Sequence, residues 1–133
     1  MLHVYDLDVF GCVRGIGFRG SDSNWPDHCD FYGVNFKDNV TADIATVSGP
    51  MGGYTIGPAT VNLTNILFER PRFLDRGGTP VTNYANLVGT TVNCGFYEFV
   101  AARDVADDTL MLLPVDWIAI GRSAAGAEFI IGA

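Results

Sequence analysis

Glutamate and lysine, two of the strong helix formers, occur only three times and once in this chain, and that scarcity restricts the fold more than any motif does. Gly, Asp, Asn, Thr, Val, Phe and Tyr are plentiful instead, a vocabulary of strands joined by turns. An all-β fold follows. Only residues 101–110 carry a helical pattern, with Ala101, Ala102, Val105 and Ala106 on adjacent turns, and there Asp107 and Asp108 would oppose the dipole at the C-terminal end. With 133 residues the chain has room for one domain, 1–133, built around one core.

Alternation marks the strands. Val4 to Val9 reads as a first strand in which Leu7, between two aspartates, faces a core. Gly11, Gly15, Gly17 and Gly20 then suggest bends around Val13, Ile16 and Phe18. Strand patterns return at Phe31 to Phe36, Asp43 to Val47, Thr60 to Phe68 and Val88 to Val100. Arg76 to Pro80 is a strong turn. The stretch 48–58, with four glycines and two prolines, is too broken for regular structure and is expected to form an exposed loop or arm able to reach a neighbouring subunit. Leu110 to Ile120, a glycine-containing turn, and Glu128 to Ile131 read as a terminal hairpin. The preferred architecture is a small antiparallel barrel or sandwich with long Gly/Pro-rich loops; a short right-handed parallel β-helix is the alternative.

Composition bears on assembly. Apolar residues make up 48% of the chain and charged ones 17%, against about 25% charged in ordinary soluble domains. A subunit interface, depleted in charge and rich in aromatics, absorbs such a surplus. The expected interface residues are Tyr54 and Ile56 in the arm and Trp117, Ile118, Phe129, Ile130 and Ile131 in the hairpin. A net charge of −7 with one lysine leaves no basic patch for phosphates, which argues against nucleic acid and against an anionic membrane surface. No apolar run is long enough to span a bilayer, and the first residues lack a secretory leader pattern, so synthesis in the cytoplasm is expected. Cys12, Cys29 and Cys94 form no C-x-x-C pair and are odd in number, so free thiols are expected.

Chemistry-bearing clusters are few. Asp22, Asn24, Asp27, His28 and Asp30 offer oxygen and imidazole ligands for a hard cation, with Asp22, Asp27, His28 and Asp30 as the candidate set, but the spacing lacks the EF-hand glycine, and a solvated turn is the favoured reading. His28 and Cys29 point to opposite faces of a strand, which argues against a thiol nucleophile. Glu69, Glu98, Glu128 and Asp116 stand singly in apolar segments where two could meet as a glycosidase pair. Trp25 and Tyr54 are the aromatics best placed to stack on a sugar. No cofactor and no catalytic residue is assigned.

Three segments look alike: Val13 to Gly20, Cys29 to Asn39 and Val61 to Phe68, with Val92 to Phe99 as a fourth. They resemble rungs of right-handed parallel β-helices such as phage tailspikes and pectate-lyase-like proteins, although their irregular intervals depart from a regular solenoid. The chain as a whole is similar in style to phage virion proteins. That resemblance implies a non-enzymatic structural protein in a virus particle, a capsid decoration or other virion component, which would form a symmetric trimer and bind a second structural protein such as a capsid shell. A carbohydrate-binding or carbohydrate-active β module, such as a host-recognition protein with Glu98 as an acid, is the alternative.

Overall fold

A computed structural model describes residues 1–19, 26–48, 59–105, 109–123, 126 and 128–131. The chain is mostly strand, with no helix among the described residues. The strands follow one another in short turns of a coil. The first turn, or rung, comprises β1 (Leu2–Tyr5), β2 (Asp8–Phe10) and β3 (Arg14–Phe18); the second β4 (Asp27–Tyr32), β5 (Asn35–Lys37) and β6 (Ala42–Thr46). The third holds β7 (Leu63–Glu69), β8 (Arg72–Leu74) and β9 (Asn83–Asn86); the fourth β10 (Thr91–Val92), β11 (Cys94–Ala101) and β12 (Met111–Leu112). The chain ends in β13 (Trp117–Ser123) and β14 (Glu128–Ile131).

Each strand from β1 to β13 pairs in parallel with a counterpart one rung away. β1, β4, β7, β11 and β13 stack along one face, β2, β5, β8 and the end of β11 along a second, and β3, β6, β9 and β12 form a separate four-stranded sheet. The antiparallel barrel or sandwich expected above is therefore wrong: among the described residues only β13 and β14, the terminal hairpin, pair antiparallel. Parallel neighbours need a crossover between them, and here the other two faces of the rung supply it.

The core is made of columns, one residue per rung. Val4, Phe31, Phe68, Phe96 and Ala119 align along the first face. Val9, Phe36, Phe73 and Ala101 align along the second, and Ile16, Ile44, Ala85 and Met111 along the third. The rings interlock: Phe31 stacks on Phe68 at 4.4 Å, Phe36 on Phe73 at 5.5 Å, and Phe96 meets Trp117 edge-on at 5.0 Å. Such pairs add to the burial of each ring.

Corners between faces recur too. Asp6, Gly33, Arg70 and Glu98 occupy the corner between the first and second faces, all with φ between 53° and 67°, and their amides climb the coil: Asp6 N to Tyr32 O at 2.8 Å, Gly33 N to Glu69 O at 2.9 Å, Arg70 N to Tyr97 O at 2.7 Å. Left-handed backbone at Asp6 breaks the single strand expected from Val4 to Val9, and Leu7, expected to face a core, is exposed beside that corner. The Phe31 to Phe36 strand divides at Gly33 for the same reason. The 101–110 helix is also overturned: Ala101 ends β11, and the next residues bend away where Arg103 donates to Asp75 Oδ2 at 2.6 Å and to Val81 O at 2.7 Å. Residues 106–108 of that segment lie outside the described residues.

The likeness among the four segments mixed different faces. Arg14–Phe18 of the first segment lies on the third face, whereas Leu63–Phe68 of the third and Cys94–Tyr97 of the fourth lie on the first. Their irregular intervals reflect that mixing together with connections of unequal length, the longest between β6 and β7.

Candidate functional surface

Three features outside the core could carry function: a polar face on the first sheet, a groove beside the terminal hairpin, and the open first rung. On the polar face, Tyr5 and Tyr32 stack with ring centroids 4.9 Å apart and planes at 9°, and Glu69 and Tyr97 continue their column. Two residues earlier on the same face, His3 Nδ1 lies 3.3 Å from Asp30 Oδ2. At the near edge, left-handed His28, Asn65 and Asn93 form a ladder: Asn93 Nδ2 donates to Asn65 Oδ1 at 3.2 Å, and Asn65 Nδ2 lies 3.2 Å from His28 Nε2. Asn, Asp and His are the side chains that best tolerate this backbone.

The cation set divides on this face. Asp27 and His28 meet at 2.8 Å, but Asp30 turns to His3, and Asp22 lies outside the described residues. Among the described residues no three His, Cys, Asp or Glu side chains gather as a metal site. Cys29 is half-buried while His28 is exposed; burial, the largest influence, pushes the Cys29 thiol above its usual range, with Asp30 and Asp27 adding to the rise and the N-terminal charge opposing it. A thiol so placed makes a poor thiolate nucleophile.

The groove, about 390 Å³, runs between the β11 corner and the hairpin and is lined by Glu98, Phe99, Ile120, Arg122, Glu128 and Ile130 among others. Arg122 Nη2 lies 3.8 Å from Glu128 Oε1. Gly121 is required here: a Cβ would come 2.4 Å from the Phe99 ring. Of the other single carboxylates, Glu69 belongs to the tyrosine column and Asp116 to an exposed turn.

The first rung carries a run of exposed apolar side chains. Leu2, Tyr5, Leu7, Phe10 and Val13 are all exposed on it, and among the described residues β1, β2 and β3 each have a single strand neighbour, leaving one backbone edge open. Sequence reasoning did not mark these residues as surface and assigned Leu7 to a core, because alternation gives half of any strand to a core whether or not another rung covers it.

The expected interface residues scatter. Trp117 is fully buried against Phe96 inside the chain and presents no surface, because β13 is the last rung of the first face and its inward residues close the core. Phe129 is half-buried, packing on Phe99 at 6.1 Å, and Ile118 is half-buried as well. Ile130 and Ile131 are exposed. Tyr54, Ile56 and almost all of the 48–58 arm lie outside the described residues, as does the sugar-stacking candidate Trp25. No helix among the described residues is long and apolar enough to cross a membrane.

Compared with family models, curated proteins and solved structures, the chain matches none.

Proposed function

We propose that this chain is a non-enzymatic structural subunit that associates with copies of itself, as a component of a larger assembly such as a virus particle. The observation that carries this reading is the open first rung, where Leu2, Tyr5 and Phe10 are exposed on strands whose outer edge is unpaired among the described residues, and Leu7 and Val13 are exposed in the bends beside them. An edge of this kind is a template for pairing with another chain, and natural proteins usually blunt it with charge, proline or a cover. Ile130 and Ile131 add a second apolar site at the far end.

The test is a surface change that leaves the core alone. Leu7→Ser with Phe10→Ser removes two exposed apolar side chains, 40% and 50% accessible, and is expected to lower the solution mass while changing unfolding free energy by less than about 1 kcal/mol. Light scattering and urea titration read the two quantities. An unchanged oligomer would remove the first rung from the interface.

A second reading rests on the Tyr5–Tyr32 stack with Tyr97 in the same column: an aromatic, polar sheet face can bind a sugar. Glycan-array binding abolished by Tyr97→Ala would favour it.

A further inference from the structure

We propose that copies of this chain join head to tail, β14 of one copy pairing antiparallel with β1 of the next. The inference rests on the self-association reading above and names the strands that would carry it. β1 and β14 are both edge strands of the same ten-stranded sheet: among the described residues β1 pairs only with β4 and β14 only with β13. Each has four residues, Leu2–Tyr5 and Glu128–Ile131, and each presents an outer row of backbone donors and acceptors with no strand partner among the described residues.

Direction and phase agree. β13 runs parallel to β11, β7, β4 and β1, whereas β14 runs against it, so a second copy stacked along the coil presents β1 antiparallel to β14. Val4 and Phe129 both pack against the core of their own chain. Setting Val4 opposite Phe129 places Leu2 opposite Ile131, His3 opposite Ile130, and Tyr5 opposite Glu128. Since strand residues alternate between faces, the inward pairs are then Val4 with Phe129 and Leu2 with Ile131, both wholly apolar. Shifting the register by one residue would turn the inward set of one strand onto the outward set of the other.

A two-fold pairing of β1 with itself is the competing self-contact. It leaves β14 open and gathers Asp6 and Asp8 of both copies at one joint in a chain already carrying −7. Head-to-tail contact satisfies both edges. Four paired residues are few against the roughly 20–30 residues a side of a standard interface, so the exposed Leu7 and Phe10 must also be covered and association should depend on concentration. Such a heterologous contact generates a ring if its rotation closes and a filament if it does not.

Charge reversal across the contact tests the pairing. Tyr5 and the Glu128 side chain are 65% and 73% exposed, so replacing them should spare the fold, as circular dichroism would verify. Tyr5→Glu sets two carboxylates opposite each other and is expected to weaken association at least tenfold by sedimentation equilibrium; adding Glu128→Lys should restore it. Equimolar His3→Cys and Ile130→Cys proteins should also form a mixed disulfide under mild oxidation, above the level given by the native cysteines. Oligomers unaffected by Tyr5→Glu, with no mixed disulfide, would overturn the β14–β1 pairing and leave self-association standing. A wild-type chain that stays monomeric would remove both, and would assign the open edge to a different partner.

Discussion

Phe68→Ala is expected to cost about 3–5 kcal/mol, the usual range for removing a fully buried aromatic ring. Phe68 is 0% exposed and touches rings on three sides: Phe31 stacked at 4.4 Å, Phe96 edge-on at 5.4 Å and Phe18 edge-on at 6.3 Å. It therefore joins the second, third and fourth rungs to the third face, and no neighbour can collapse into its space without leaving its own column. Small domains have only about 5–15 kcal/mol in all, so the variant should unfold at markedly lower urea. Tyr97→Ala, on the outward column of the adjacent strand, is the control and should cost about 1 kcal/mol. Equal costs for the two would mean that the aromatic column does not hold the rungs together.

Stability should fall as pH rises from about 4 to 8, and Asp43→Asn should flatten that fall. Asp43 is 1% exposed; its Oδ1 accepts from Asn39 Nδ2 at 2.8 Å, while its Oδ2 has no partner. Burial pushes its carboxyl from 3.8 up to about 7, opposed by the Asn39 hydrogen bond, reinforced by Asp75 and opposed again by Arg103. Because the folded state holds this proton more tightly than the unfolded chain, the contribution to stability is fully present below pH 3.8 and is lost as pH rises to about 7 and beyond. A climb from 3.8 to about 7 corresponds to on the order of 4 kcal/mol. The same Asn39 accepts from Cys12 N at 2.8 Å and donates to Val9 O at 3.2 Å, so ionisation acts where the first rung is tied to the second. Urea titrations at pH 5 and pH 8 of wild type and Asp43→Asn measure the effect. A wild-type stability that does not change, or that rises with pH, would show that Asp43 is solvated and ionised in the fold.

The all-β character was legible because a chain with three Glu and one Lys has little with which to build helix. The closing antiparallel pair was legible because an apolar run and Glu128–Ile131 follow one another across a glycine-containing segment, but not its bounds: Leu110 to Ile120 divides into β12, which pairs with β9, and β13, and Gly121 lies inside β13 and not in the turn. Parallel pairing was not. Inward and outward residues alternate identically in parallel and antiparallel strands, and the corners that would have betrayed a coil use Asp6, Arg70 and Glu98 in left-handed backbone, with a glycine only at Gly33. The exposed surface was harder still. His3 meets Asp30, and His28 meets Asn65, through rung stacking, a neighbourhood fixed by connection lengths that no local pattern encodes. Trp117 reads as interface because it is large and near the chain end, yet it fills the last layer of the core.

Self-association is tested most directly by the solution mass of the unmodified chain, followed by light scattering over a hundredfold range of concentration. A mass well above the 14.3 kDa of one chain, rising with concentration toward a ring or growing filament, is the expected result. A mass of 14.3 kDa at every concentration would contradict it.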